Sequence, residues 1–237
     1  MLKQALEYIV DLSHPFVRVF NGFTYTDKPL TRVPERLYAE SIQTNTLTGL
    51  CDYIKSNVDD MDAKMLLHVV SPTKVRLLSA LDAERGRECL MEAHALLPDF
   101  SFGWFMEHEE FCIALQSKFI RNDDRDLVLK FAGAVEDGTV AQYGDDGVTQ
   151  KATVKTGLAS KSDAVVPNPV TLAPYRTFLE AEQPESEFIF RMRTCGGVQC
   201  AVFEADGGAW KNQAMENVKA YLTEQLKEFG SQFAVIS

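Results

Sequence analysis

The segment from residue 166 to residue 210 constrains the fold of this chain more than any other. It begins Val166-Pro-Asn-Pro-Val-Thr-Leu-Ala-Pro174 and ends Asp206-Gly-Gly-Ala-Trp210. Proline fixes the backbone dihedral φ, and glycine reaches φ values that other residues avoid. The pattern therefore predicts a backbone held along one path, and argues against a loose linker between two domains.

Turn residues between alternating apolar runs predict a sheet made of hairpins. Asn21-Gly22 suits both central positions of a type I′ turn, so residues 16–20 and 23–26 are predicted to pair. Three further strand pairs share this pattern: 66–70 with 74–80, 139–143 with 148–155, and 187–193 with 198–204. A short strand at 233–236 is predicted to close the chain.

Apolar residues at helical spacing predict the helices. They lie at 1–11, at 44–57 after Thr44 or Thr46 as N-cap, at 84–97, from Asp123 or Asp124 to about 135, and at 210–229. Alternation of Phe111, Ile113, Leu115 and Phe119 instead predicts a strand.

These elements predict an α+β protein, with a largely antiparallel sheet built from hairpins and several packed helices, including a long C-terminal helix. We expect an α+β N-terminal part at 1–136 and a β-rich C-terminal part at 137–237 closed by a helix. One continuous domain is the alternative.

The charge of the chain argues against a stand-alone binder of naked nucleic acid. The net charge is −10, and residues 1–120 and 121–237 each carry 12 Lys/Arg against 17 Asp/Glu. Binding to phosphates usually needs a basic face or tail.

The five scattered cysteines indicate free thiols in a reducing cytosol. The longest uncharged run, 164–175, is too short to span a bilayer, so we expect no membrane partner.

No phosphate-binding loop, dinucleotide fingerprint, nucleophile elbow or zinc-protease motif occurs in the sequence. Three weaker patterns each lack a required ligand or place it badly: His108-Glu109 of a deaminase, Cys195 with Cys200 of a zinc site, and Asp52 with Asp62-Ala63-Lys64 of a nuclease. Asp145 and Asp146 suit a turn, and whether they bind a metal stays open. We therefore expect no catalytic residue, metal site or cofactor.

One set of aromatic and basic residues is the best candidate for a ligand or partner surface. Its members are Tyr175, Arg176, Arg191, Arg193, Trp210 and Lys211. Aromatic rings stack on bases, and arginines pair with phosphates. The alternative is that the rings pack in the core while the arginines pair with nearby acids, namely Glu180, Glu182, Glu185 and Glu187.

The same region resembles a family of phage and prophage proteins typified by YfdQ, whose function is uncharacterised. The residues that carry the resemblance include Pro167-Asn-Pro-Val-Thr-Leu-Ala-Pro-Tyr-Arg-Thr-Phe178, Glu182-Gln183-Pro184, Phe203-Glu-Ala-Asp-Gly-Gly208 and Trp210-Lys211. The resemblance covers the chain from about residue 36 onward. It implies a protein of the bacterial host's cytoplasm, encoded among phage recombination and replication genes, and it supplies no catalytic residues.

Three functions follow as expectations. The first is a non-enzymatic interaction protein, an oligomeric accessory to phage DNA replication or recombination, with itself and phage or host proteins as partners. The alternative is a host-takeover or anti-defence protein that inhibits a bacterial protein or sequesters a nucleotide signal, since an acidic surface can mimic nucleic acid. The third is a metal-dependent enzyme acting on nucleic acid.

Overall fold

The computed structural model describes residues 2–11, 15–28, 38–61, 63–82, 85–134, 151–155, 161–165 and 167–237. The chain divides into two units, Met1–Tyr38 and Ala39–Ser237. The boundary predicted between residues 136 and 137 lies outside the described residues.

The described residues of the first unit form a helix and a hairpin. Helix α1 spans Leu2–Asp11, and strands β1 (Val17–Phe20) and β2 (Phe23–Thr26) pair antiparallel, with Phe20 opposite Phe23. Asn21 and Gly22 have φ values of 49° and 78°. Positive φ at both turn positions is the type I′ geometry that the sequence predicts.

The second unit holds the remaining elements. Its helices are α2 (Leu47–Ser56), α3 (His108–Lys118), α4 (Asp123–Ala134), α5 (Trp210–Gln225) and a short 3-10 helix at Lys227–Phe229. Its strands are β3 (Ile42–Thr44), β4 (Met65–Ser71), β5 (Lys74–Leu78), β6 (Cys89–His94), β7 (Met106–Glu107), β8 (Lys151–Lys155), β9 (Lys161–Val165), β10 (Val170–Leu172), β11 (Ser186–Thr194), β12 (Val198–Glu204) and β13 (Phe233–Ile236).

Two larger sheets organise this unit. A five-stranded sheet has the order β13-β4-β5-β6-β3, with parallel pairing at its two edges, and a four-stranded antiparallel sheet has the order β10-β11-β12-β7. Strands β8 and β9 form a separate antiparallel pair. The chain is α+β with mostly antiparallel sheets, 32% helix and 30% strand, so the predicted fold class is confirmed. None of the helices in the described ranges is long and apolar enough to cross a membrane.

Each larger sheet buries one face in its own core. Residues of α2 and α5, including Leu50, Ile54 and Leu222, pack with the five-stranded sheet. Residues of α3 and α4, including Phe111 and Val128, pack with the four-stranded sheet. The segment that follows β10 joins both, because Leu172 lies in the second core whereas Phe178 lies in the first. Residues 173–177 therefore run between two fixed points.

The helix predicted at 84–97 is wrong, because strand β6 occupies Cys89–His94. Met91 and Ala93 are buried, while Glu92 and His94 are half-buried on the opposite face, which is the two-residue period of a strand. Pairing with β5 on one side and β3 on the other overrides the helix propensity of Leu, Met, Glu and Ala.

The strand predicted from Phe111 to Phe119 is also wrong, because helix α3 covers most of it. Phe111, Ala114 and Leu115 are buried at helical spacing, whereas Ile113 is 58% exposed. The apparent alternation of apolar residues thus mixes one solvent-facing side chain, Ile113, with three core side chains.

The remaining elements follow the predictions more closely. Thr46 caps α2 by accepting a 3.0 Å hydrogen bond from the Gly49 amide, as one of the two predicted caps. The cap of α4 is Asn122, whose side chain accepts from the Arg125 amide at 2.8 Å, and neither Asp123 nor Asp124. The C-terminal helix begins at Trp210 as predicted but ends at Gln225. Residues 139–143, with Asp145 and Asp146, lie outside the described residues.

Candidate functional site

Arg176 is the most deeply buried of the predicted ligand-binding residues. It is only 5% exposed, and its guanidinium donates to Glu204 Oε1 at 2.9 Å and to the Ser186 hydroxyl at 2.5 Å. Burial lowers the pKa of Arg176, while Glu204 and Asp206 oppose that change. An arginine stays protonated even so, which means that a fixed positive charge sits below the surface here.

The guanidinium also lies against aromatic rings. The Arg176 Cζ atom is 4.1 Å from the centre of the Trp210 ring and 5.5 Å from that of Phe188. Such cation–π contacts are worth about 0.5–2 kcal/mol, with the larger values in dry surroundings. The stack therefore holds both the cation and the indole ring in place.

A single buried amide shapes the loop that carries Arg176. Gln183 Oε1 accepts from the backbone amides of Arg176 at 2.9 Å and Thr177 at 3.1 Å. Its Nε2 donates to the carbonyl of Phe178 at 2.9 Å and to that of Ala181 at 3.2 Å. These contacts satisfy backbone groups that a buried loop would otherwise leave unpaired.

A second loop places Trp210 at the start of α5. The Asp206 carboxylate accepts from the amides of Gly208 at 3.0 Å and Trp210 at 3.2 Å, and the φ values of Gly207 and Gly208, 62° and 86°, suit glycine. Burial opposes the charged form of Asp206, but these amides, the Ser186 hydroxyl and Arg176 together lower its pKa.

The end of α3 supplies a second cation. The amide of Tyr175 donates to the Lys118 carbonyl at 3.0 Å, and the amide of Ile120 donates to the Ala173 carbonyl at 2.8 Å. This short antiparallel contact brings Lys118 beside the Arg176 loop. The Lys118 ammonium donates to the backbone carbonyl of Asp99.

These elements enclose a cavity of about 400 Å³, which we call the Arg176 cavity. Four aromatic residues line it, namely Phe100, Phe102, Tyr175 and Trp210. The charged residues that line it are Lys118, Arg176 and Lys211 against Asp99 and Glu204. The lining thus carries one more positive than negative charge, in a chain whose net charge is −10.

Three donors on residues that line the cavity have no hydrogen-bond or ion-pair partner among the described residues. Arg176 Nε and Trp210 Nε1 are buried without a hydrogen-bond partner among the described residues. Lys211 Nζ likewise makes no ion pair with any described residue, and it lies 6.0 Å from the centre of the Trp210 ring. A buried donor without a partner costs about 1–3 kcal/mol, so an acceptor placed here would be stabilised.

The structure brings together four of the six predicted residues. Tyr175, Arg176, Trp210 and Lys211 all line the cavity. Arg191 and Arg193 lie on β11 outside it, where Arg193 Cζ is 4.1 Å from the centre of the Phe105 ring and its Nε donates to Gln199 at 2.8 Å.

Some residues of the cavity were not predicted. Lys118, Phe100 and Phe102 carry no recognisable motif in the sequence. Glu204 stands directly before Ala205-Asp206 in a stretch already singled out, but the predicted acidic partners of the arginines were four other glutamates. Arg176 pairs with Glu204 instead.

The weaker patterns do not converge on a metal. No cluster of three or more His, Cys, Asp or Glu residues that could hold a metal ion occurs in the described part of the chain. His108 Nε2 lies 3.0 Å from the Ala132 carbonyl, Cys200 is buried, and Cys195 is exposed. Asp62, Asp145 and Asp146 lie outside the described residues.

No protein-family model, no curated protein and no solved structure matches this chain. The resemblance to the YfdQ-like family stays a prediction from the sequence.

Proposed function

We propose that this chain is a non-enzymatic binding protein that captures a small anion carrying a planar ring, with nucleotides as the ligand class. The observation that carries the proposal is the buried Arg176, stacked on Trp210 in a cavity that also presents Lys118 and Lys211. Among the functions predicted from the sequence, this arrangement favours the capture of a nucleotide.

The size of the cavity supports a small ligand. Its volume of about 400 Å³ falls within the range of about 300–1,000 Å³ typical of small-molecule sites. A base can stack on the exposed parts of Tyr175 or Trp210, and such stacking is worth about 1–3 kcal/mol per base. A cavity of this size can hold one nucleotide.

The charge of the cavity supports an anion. Lys211 has no acidic partner in the described structure, and the Lys118 ammonium bonds only a neutral carbonyl. Both can therefore donate to a phosphate. Because the chain as a whole is acidic, long polyanions are repelled, while a small anion enters a site that is locally positive.

The lining supports binding and gives no support to nucleophilic catalysis. Among the described residues that line the cavity there is no histidine, serine or cysteine. The two carboxylates there are Glu204, which is paired with Arg176, and Asp99, which is exposed. The hydroxyl groups of the lining are those of Thr73 and Tyr175, and no hydrogen bond of the described structure links either of them to Asp99 or Glu204.

A second candidate is contact with a phage or host protein. Trp104 is 74% exposed, and Arg193 stacks on its neighbour Phe105. Exposed tryptophan and arginine are the residues most often found at the centre of protein interfaces. An accessory role in phage DNA metabolism would use this surface.

Fluorescence of Trp210 tests the first proposal. In a Trp104→Phe variant, Trp210 is the only tryptophan, and titration with AMP or GMP should change its emission to saturation. Adenosine and inorganic phosphate should bind more weakly, because each offers half of the contacts. Native mass spectrometry of the protein as purified would identify the natural ligand by its mass.

Two lysine variants supply the matched control. Lys211→Ala should weaken AMP binding about tenfold, which corresponds to one lost charged hydrogen bond. Lys227→Ala removes an exposed lysine outside the cavity and should leave binding unchanged. Equal affinities for the two variants, or no response of Trp210 to any nucleotide, would refute the proposal.

A further inference from the structure

The N-terminal unit exposes large apolar side chains along both of its elements. Four in α1 and six in or beside the β1–β2 hairpin are each more than half exposed. A two-stranded hairpin is at best marginally stable in water and needs packing on one face. The exposed residues of this hairpin therefore indicate a surface that is covered in the working protein.

One face of the hairpin is aromatic. Phe20 lies opposite Phe23, and Arg18 lies opposite Tyr25. Since side chains alternate between the two faces of a strand, Phe16 shares that face. The opposite face holds Val17 and Val19 with two threonines.

The aromatic face exposes more than half of the area that one partner contributes to a standard protein interface. Its four rings are each 55–68% exposed, and an aromatic side chain buries about 150–250 Å². Roughly 500 Å² of apolar surface therefore remains open, against about 800 Å² per partner in a standard protein interface.

Charge argues that this face meets a protein, because Arg18 is the only charged residue within the two strands. Anionic membranes and nucleic acids are recognised by clusters of Lys and Arg. Residues 1–38 carry five Lys/Arg and four Asp/Glu, so the N-terminal unit as a whole has almost no net charge.

Among proteins, a second copy of the chain fits this surface. Residues 39–237 carry 19 Lys/Arg and 30 Asp/Glu, so two copies repel each other through that part. Contact through residues 1–38 meets little repulsion. Among the described residues no other strand pairs with β1 or β2, and such strand edges pair readily with another strand. A twofold interface requires a surface that complements itself, and this face does so because Arg18 of one copy can stack on an aromatic ring of the other.

We propose that the N-terminal unit mediates self-association, with the aromatic face of β1–β2 packed against the same face of a second copy of the chain. This proposal rests on no property of the Arg176 cavity.

Sedimentation of the full chain over a concentration series tests it. The wild type should form a dimer or a larger even assembly. A Phe20→Ser/Phe23→Ser variant should raise the dissociation constant at least about 100-fold, because each ring contributes about tenfold or more. Val19→Thr, on the opposite face of the same hairpin, should associate like the wild type. Emission of Trp104 and Trp210, both beyond residue 38, confirms in each case that the second unit stays folded.

Arg18→Glu is a second test, which keeps its value if the double variant fails to form the hairpin. It removes no apolar side chain, yet it replaces a cation that can stack on the rings of the other copy by an anion that the negative faces of those rings repel, so it should weaken association. A monomeric wild type would overturn the proposal, as would association that neither the double variant nor Arg18→Glu weakens. Wild-type monomers that bind phosphatidylcholine vesicles through Phe20 and Phe23 would also overturn it, in favour of a lipid surface.

Discussion

Replacing Gln183 by alanine should destabilise the second unit strongly, because this one amide holds the loop that carries Arg176. Gln183 is 5% exposed, so water does not reach the groups that it pairs. Alanine leaves the backbone amides of Arg176 and Thr177 without their acceptor. The carbonyl of Phe178 keeps a partner, since the Ala181 amide donates to it at 3.1 Å.

The size of the effect follows from those two amides. A buried donor without a partner costs about 1–3 kcal/mol. Two of them lower the free energy of unfolding by about 2–6 kcal/mol, to which lost packing adds. Domains are typically stable by only about 5–15 kcal/mol, so the variant should unfold at a clearly lower urea concentration.

Urea unfolding followed by tryptophan fluorescence measures this change in the second unit, since Trp104 and Trp210 are the only tryptophans of the chain. Gln213→Ala is the matched control: its amide donates to Asn217 at 2.8 Å on the exposed side of α5, so its loss should cost less than about 0.5 kcal/mol. Equal midpoints for the two variants would show that Gln183 does not hold the loop.

Two further predictions concern titratable groups. The pKa of Glu92 is lowered from an ordinary 4.5 to about 2. The largest cause is the hydrogen bond from Lys74; those from His94 and Arg76 add to it, and together they outweigh the opposing effect of burial. This carboxylate therefore stabilises the fold above pH 4.5 and loses that effect as the pH falls towards 2. Glu92→Gln should cost about 1–2 kcal/mol at neutral pH and flatten the acid dependence of thermal unfolding across that window; an unchanged slope would contradict this. Burial raises the pKa of Cys51 to about 11 and that of Cys200 to about 12, whereas Cys195 is exposed. Peptide mass spectrometry should therefore find iodoacetamide on Cys195 in the native protein and on Cys51 and Cys200 only after addition of urea; native labelling of Cys200 would refute the burial.

The elements that could be predicted from the sequence are those specified by local chemistry. Asn21-Gly22 determines a turn by its φ values alone, and Thr46 caps a helix three residues before the amide that it binds. Strands β11 and β12 pair about Gly196 and Gly197, with the alternation visible in the sequence. In these cases the interacting residues are close in the chain, so the local sequence pattern is enough to predict the element.

The two misassigned elements depend on contacts between distant residues. Strand β6 is a strand because β3 and β5 flank it, although its residues favour a helix. Helix α3 exposes Ile113, and only its packing on β12 decides which apolar residues face the core. Neither decision can be read from a window of ten residues.

The incomplete prediction of the site has the same origin. Tyr175-Arg176 and Trp210-Lys211 were found because proline and glycine mark their loops, and both loops do meet at the cavity. Lys118 was missed because it ends α3, which the alternation of Phe111 and Leu115 presents as a strand. A strand would end in a turn, whereas the helix ends beside Tyr175 and delivers its last lysine to the cavity. Even a correct helix at 108–118 leaves Lys118 unassigned, because its place beside Tyr175 depends on a contact between residues far apart in the chain.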